Sequence, residues 1–381
     1  MNAPQNPVPY TADVETLQDD EAEVIAELRD TLLSLSRTMY ENTGHAMRSV
    51  HAKSFGLLRG SIEVLPGLPE VLAQGLFAQP RTYDLVARFS TPPSEQLDDR
   101  VSLPRAVALK ILGVEGARLP GSESDTTQDF LMVDGPVFAA KDAKHFLRQL
   151  KLLSATTDKA EGGKRALSVV LRGVAAALDA VGVEAKSLKA MGGHEQTHPL
   201  GATFFTQVPL RYGDFIAKLS LAPVSPSLTA LVDQPLSDAQ ADDPDGLRNA
   251  VNDFFASDSG EWELRAQLNT DLEQMPIEDH ATEWPQEDSP YVAIARVKID
   301  RQTGWSEARS RAMDDGLSFN PWHGLQAHQP LGGVMRARKV VYPASVAFRG
   351  ATNGCPIHEP AGLAQVGALQ AEPPARDAGA A

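Results

Sequence analysis

The sequence predicts an α+β fold with an antiparallel β-barrel core and inserted and flanking helices. Three observations carry this. Short apolar or alternating runs bounded by Gly and Pro fall in two groups, over 55–133 and 203–299. Helix-periodic stretches lie before, between and after these groups rather than after each strand, which disfavours a parallel βαβ sheet. No internal repeat divides the chain, and antiparallel strands in this pattern can stay open or close into a barrel; the barrel is the closure that the family resemblance given below implies.

Each element has its own signal. Residues 1–12 are rich in Pro and Asn and read as a disordered arm. Over 13–43 the apolar residues Leu17, Val24, Leu28, Leu32, Leu35 and Met39 recur at helical spacing, and Gly44 stops the run. Strands are expected over 55–65, 83–90, 106–114 and 130–133, then over 203–210, 214–222, 262–269 and 291–299. Helices are expected over 141–154, 164–181 and around 245–256. The resulting organisation is an arm and helix over 1–45, one core over 46–353, and a loose Ala/Gly/Pro-rich tail over 354–381.

Composition narrows the function classes. The chain has 381 residues, 42% hydrophobic and 22% charged, as in a soluble globular protein. A net charge of -15 argues against generic binding of nucleic acid or anionic membrane. One cysteine, Cys355, excludes an intrachain disulfide. The first residues carry neither a basic region nor an apolar run, and no stretch reaches the ~20 apolar residues of a membrane span, so a cytoplasmic location is expected.

Five stretches carry chemistry. In Arg338-Lys339-Val340-Val341-Tyr342-Pro343, a helix would put Arg338 and Tyr342 on one face, with Arg349 seven residues further on. An arginine one turn from a tyrosine favours the phenolate, a ligand for a hard cation such as ferric iron. In Arg48-Ser49-Val50-His51, a histidine entering a strand can shuttle protons at a pocket wall. In Arg88-Phe89-Ser90, the arginine and serine point the same way along a strand, one to clamp a carboxylate and one to orient a base. The segment 128–138 is apolar enough to wall a flat ligand, or simply to pack a core. His194-Glu195-Gln196-Thr197-His198 matches the H-E-x-x-H pattern of zinc hydrolases, but Gly192, Gly193 and Pro199 bracket it and disfavour the helix that chemistry needs. Cys355 and His358, in the tail, read as inert.

Taken in order, these pieces resemble the haem catalases and their smaller catalase-related relatives. The resemblance runs from about 46 to 353 through RSVHAKSFG, ARFST, LPRAVALKI, DFLMVDGPVF, DHATEWP with PYVAIARVKI, and RKVVYPASVAFR. It implies a catalase-like barrel holding haem b, with Tyr342 as the iron ligand. It implies His51 as the distal acid–base, oriented by Ser90, with Asp125 and Thr126 in the slot of the family's distal asparagine. Arg48, Arg88, Phe138, Arg338 and Arg349 would bind the cofactor. The implied substrates are hydrogen peroxide or organic hydroperoxides, with an organic electron donor. Neither Asp125 nor Thr126 is the family's asparagine, Leu103 stands where its channel has Asp, and Ala106 replaces a glycine. These departures leave two alternatives: a fatty-acid hydroperoxide isomerase or lyase, and a haem-binding protein with little turnover. Family members that rearrange fatty-acid hydroperoxides tend to carry threonine before the distal histidine; here it is Val50. The resemblance also implies that the larger catalases' added C-terminal domain is missing.

Overall fold

Nine antiparallel strands form one sheet in the computed structural model, which describes residues 6–154 and 196–367. They are β1 (Ser54–Val64), β2 (Thr82–Ser90), β3 (Ala106–Leu112), β4 (Thr127–Val133), β5 (Phe204–Phe205), β6 (Leu210–Tyr212), β7 (Phe215–Pro223), β8 (Gly260–Leu268) and β9 (Val292–Ile299). The order is β5-β4-β3-β2-β1-β9-β8-β7-β6, and a further pairing of β5 with β7 closes eight strands into a barrel, with β6 hanging on β7. The expected fold class therefore stands. From Leu85 on, β2 alternates between two buried environments. Leu85, Ala87 and Phe89 of β2 join the large core, with Leu109 of β3 and Ala217, Leu219 and Leu221 of β7. The intervening Val86, Arg88 and Ser90 point the other way, out of the barrel. At Gly60, β1 passes close to β9: a Cβ there would lie 2.5 Å from the Lys298 carbonyl oxygen.

The helices lie outside the barrel. α1 (Glu21–Thr43) buries Val24, Leu28, Leu32, Leu35 and Met39, and Gly44 ends it in the left-handed region at φ 72. Its stripe packs on Ala143, Leu147 and Leu150 of α2 (Ala143–Ser154). It packs also on Val334, Ala337 and Val341 of a long helix near the C-terminus. Truncating Leu28, 2% exposed, to Ala would cost ~2–5 kcal/mol. α3 (Gly246–Ser257) sends Val251 and Phe255 into the barrel core. α4 (Gly333–Asn353) continues through Pro343, which deletes one intrahelical bond directly after Tyr342.

Three expectations are corrected. From residue 6 on, the arm is tied down: Val8 donates to the Asn269 carbonyl, Tyr10 donates to that of Asp214, and the Tyr10 ring lies under Arg211 at 4.6 Å. The strand expected over 203–210 splits into β5 and β6, around Gln207 at φ 64. The tail from 354 is not loose as far as 367. Val366 is buried against Leu57, Val86 and Leu317, and Glu359 binds the fully buried Lys110 at 2.5 Å. Composition missed this because the tail's few anchoring groups meet partners far away in sequence. The helix expected over 164–181 lies outside the described residues. No described helix is long and apolar enough to cross a membrane.

Candidate active site

The outward face of β2, β3 and β4 forms one wall of the site. Strand register sets Ser90 beside Ala106 and Ala106 beside Val133; the next row is Arg88, Ala108 and Leu131. Ala108, Leu131 and Val133 are only half-buried although they sit in central strands. Phe138, just beyond β4, is also half-buried.

His51 enters from the loop before β1. Its backbone is left-handed, φ 56, an uncommon state for a residue with a side chain. Two bonds hold it there: its N–H donates to the Pro92 carbonyl at 2.6 Å, and Arg88 Nη2 donates to its own carbonyl at 2.8 Å. Strain held at a reactive side chain is a recurrent mark of functional positions. The imidazole Nδ1 lies 3.4 Å from Ser90 Oγ. Burial, then the positive charges of Arg88, Arg338 and Arg48, push the His51 pKa down to about 3. The ring is therefore neutral near pH 7, able to accept a proton.

Three arginines from distant segments meet beside it. Arg88 Nε donates to Asp314 Oδ1 at 2.7 Å and Arg48 Nη1 to the same oxygen at 3.2 Å. Arg48 and Arg349 also donate to the Asp314 carbonyl, at 2.7 and 2.6 Å. Asp314 sits in a π-helical turn, Arg311–Asp315, whose wide ring aims that carbonyl at both guanidinium groups. Burial acts to raise the Asp314 pKa, but Arg88, Arg48 and a bond from Ser54 outweigh it and hold it at about 2. Burial and mutual repulsion with Arg88 lower Arg349 to about 10.

The opposing wall is one face of α4. Arg338, Tyr342, Ser345 and Arg349 follow at helical spacing, while Val334, Ala337 and Val341 face α1 and α2. The Arg338 guanidinium lies 5.7 Å from the Phe138 ring centre. Ser49 Oγ, in the His51 loop, donates to Ser345 Oγ at 2.9 Å and accepts from Ser36 Oγ of α1 at 3.0 Å. Tyr342, between Arg338 and Ser345 along this helix, is half-buried. Contacts and charge thus link His51 with Ser90, Arg48, Arg88 and Arg338, Arg338 with Phe138, and Arg349 with Arg48 and Arg88 through Asp314, while Tyr342 lies one turn after Arg338 on α4.

Asp125 and Thr126 are not brought to His51. They lie in the β3–β4 turn, where Thr126 accepts from Val114 N–H and Asp125 donates to Ser122 O. Thr127 pairs with Leu112, at the far end of β3 from Ala106, the partner of Ser90. Six residues of strand separate the two ends, about 20 Å. Leu103, half-buried, precedes the near end. Of the zinc-type motif, His194 and Glu195 lie outside the described residues. His198 is a cap: its Nδ1 accepts from Leu200 N–H at 3.3 Å and its ring packs against Phe254. Sequence reasoning missed Asp314, Ser49 and Ser345. The two serines lie inside motifs already singled out, whereas Asp314 carries no local signal.

No protein-family profile and no curated protein matches the sequence. Solved structures do match. A fungal catalase aligns at TM-score 0.57 with 16% identity, over 93% of this chain and 67% of its own. Catalase A from Saccharomyces cerevisiae aligns at 0.56 with 14% identity, over 92% and 68%. A bacterial catalase aligns at 0.56 with 14% identity, over 90% and 63%. The chain has the catalase fold. It spans about two thirds of the length of these catalases. In this catalase fold the His51 loop and the helix that carries Tyr342 belong to segments almost three hundred residues apart, joined by the bond from Ser49 to Ser345.

Proposed function

We propose that this protein is a haem-dependent hydroperoxide-cleaving enzyme, a catalase-like peroxidase acting on hydrogen peroxide or organic hydroperoxides. The observation that carries it is a neutral imidazole and a tyrosine-bearing helix face meeting at a cradle of arginines. Haem fits these residues on two counts. The half-buried apolar side chains Ala108, Leu131, Val133 and Phe138 offer a flat ligand the surface that the protein leaves uncovered. Four guanidinium groups, Arg48, Arg88, Arg338 and Arg349, face two carboxylates, Asp314 and Asp315, which leaves over the charge that two propionates would match. Among the described residues the buried Arg349 Nε has no partner, which makes it a donor available to such a group.

When bound, haem supplies the redox-active iron at which a peroxide O–O bond is split. Tyr342 would hold the iron through its phenolate oxygen, with Arg338 one turn earlier on the same helix face. Arg48, Arg88 and Arg349 would bind the propionates, and Phe138 would stack on the macrocycle. His51 takes the proton from the attacking hydroperoxide at Nε2 and returns it to the leaving oxygen. The Ser90 hydroxyl keeps Nδ1 engaged, so Nε2 remains the working nitrogen. The reducing equivalents for turnover would come from an organic donor or a second peroxide.

The test is spectroscopic first. Purified protein loaded with haem b should show a Soret band of high-spin, tyrosinate-ligated ferric haem. Tyr342→Phe should lose the cofactor or shift that band, and an unchanged spectrum would overturn the ligand assignment. Oxygen release from hydrogen peroxide, set against donor oxidation driven by cumene hydroperoxide, divides catalase from peroxidase activity. A rearranged lipid product from a fatty-acid hydroperoxide would instead indicate the isomerase or lyase. A second reading, a haem-binding protein with little turnover, is favoured by one observation: no side chain of the β3–β4 turn joins His51. Loaded protein that cleaves peroxide no faster than free haem would establish it.

A further inference from the structure

Asp314 has no place in the mechanism above, yet it touches all three arginines of the cradle. Its Oδ1 accepts from Arg88 and Arg48, and its Oδ2 accepts from Ser54 Oγ at 2.6 Å and Ser310 Oγ at 2.8 Å. Its carbonyl accepts from Arg48 and Arg349. Four donors saturate the carboxylate, and two hydroxyls fix it from the side away from the arginines. Such a group is a permanent part of the wall rather than a guest that an incoming anion displaces. Arg349, by contrast, reaches only carbonyl oxygens, those of Asp314 and Leu317, and keeps its buried Nε without a partner. The cradle is thus anchored from behind by one resident carboxylate, with donors left over in front.

We propose that Asp314 is a positioning residue that presets the arginine cradle and neutralises one of its charges, so that it sets how strongly the site prefers a carboxylate-bearing porphyrin. This rests on the haem reading above. Without the carboxylate, the arginines would repel one another and turn to any other anion within reach. The preference for ligand carboxylates would then rise, while loss of preorganisation would weaken all ligands alike.

A ratio separates these two effects. Metal-free protoporphyrin IX and its dimethyl ester have the same ring, and only the first carries two carboxylates. Their relative affinity for the full chain, read by fluorescence or absorbance titration, cancels any general loosening. Wild type should favour the free acid. Asp314→Asn keeps the shape and the backbone carbonyl and should raise that preference about tenfold, the scale of one charge removed from partly buried ion pairs. Asp314→Asn with Arg48→Gln removes one charge of each sign and should bring the ratio back near that of wild type. Should Asp314→Asn fail to fold, the double variant set against Arg48→Gln alone must show the same tenfold step. An unchanged or lowered ratio overturns the inference while leaving haem binding intact. A wild type that binds neither porphyrin sinks the haem reading, and this inference with it.

Discussion

Replacing Arg88 by Met should cost this protein about 3–5 kcal/mol even before any ligand is added. The Arg88 side chain is 3% exposed and makes one ion pair and two bonds to carbonyls. Breaking a buried pair by deleting one partner costs ~3–5 kcal/mol. Asp314 would keep Arg48, Ser54 and Ser310, which puts the electrostatic part at the lower end. The carbonyls of His51 and Ala52 lose their arginine donor, and each unsatisfied acceptor adds about 1 kcal/mol. At roughly 1–2 °C per kcal/mol for a core of more than 300 residues, from an unfolding entropy of ~2.1 cal/mol/K per residue, the melting temperature should fall by about 5 °C. The assay is a thermal melt of cofactor-free protein at pH 7, where Asp314, with its pKa at about 2, is charged. Arg88→Lys should recover only part of the loss, because one ammonium cannot copy the Nε and Nη2 contacts at once. A melting temperature within about 2 °C of wild type for Arg88→Met would falsify the claim that these arginines form a buried cradle around Asp314.

Other outcomes follow from the same contacts. His51→Gln should retain the Soret band and slow peroxide cleavage by about 10²–10⁴ in stopped-flow assays; an unaltered rate would remove His51 from the mechanism. Burial lowers His328 to about 3, so the unfolded chain binds more protons than the folded one between pH 6.5 and 3, and stability is lost as pH falls through that window. At pH 5 this histidine accounts for about 2 kcal/mol, so urea midpoints of His328→Gln, which can still accept the Leu76 N–H, should fall less from pH 7 to pH 5 than those of wild type. Equal slopes would refute it. Lys110→Met leaves Asp129 and Glu359 without the lysine they share and should cost about 3–5 kcal/mol in chemical denaturation. Glu359→Gln should hasten proteolysis within 354–367; protection equal to wild type would show that Glu359 does not hold the tail.

What could be read from the sequence depended on how local each signal was. The barrel strands were legible because alternation at Leu85, Ala87 and Phe89 needs only neighbouring letters. Arg48 with His51, Arg88 with Ser90, and Arg338 with Tyr342 were legible for the same reason: each pair shares a short segment whose geometry is set within one turn or one pleat. Asp125 and Thr126 were misplaced because counting along a segment says nothing of where a hairpin turns. The pairing of Thr127 with Leu112 carries the residues before it away from Ser90. The tail was misread because Glu359 finds its partner on β3, and Lys110 faces Asp129 only once β3 and β4 have paired.

Asp314 shows why the centre of the site was the least legible part. Nothing in Arg311-Ala312-Met313-Asp314-Asp315 distinguishes the first aspartate from the second. The π-helical turn does, sending Asp314 to Arg48 and Arg88 while Asp315 meets His45 at 2.9 Å near the surface. That turn lies against the tail, where His358 N–H donates to the Gly316 carbonyl and Val366 packs beside Met313 and Leu317. The segment that reads as most dispensable therefore helps to hold the residue that gathers the arginines. Composition cannot report such a dependence, because it lives in contacts between pieces that are each unremarkable alone. A chain cut after residue 353 should accordingly lose cradle order before barrel order: its far-ultraviolet circular dichroism should stay close to that of the full chain while its affinities for protoporphyrin IX and for the dimethyl ester fall together. Equal affinities in the two chains would separate the tail from the cradle.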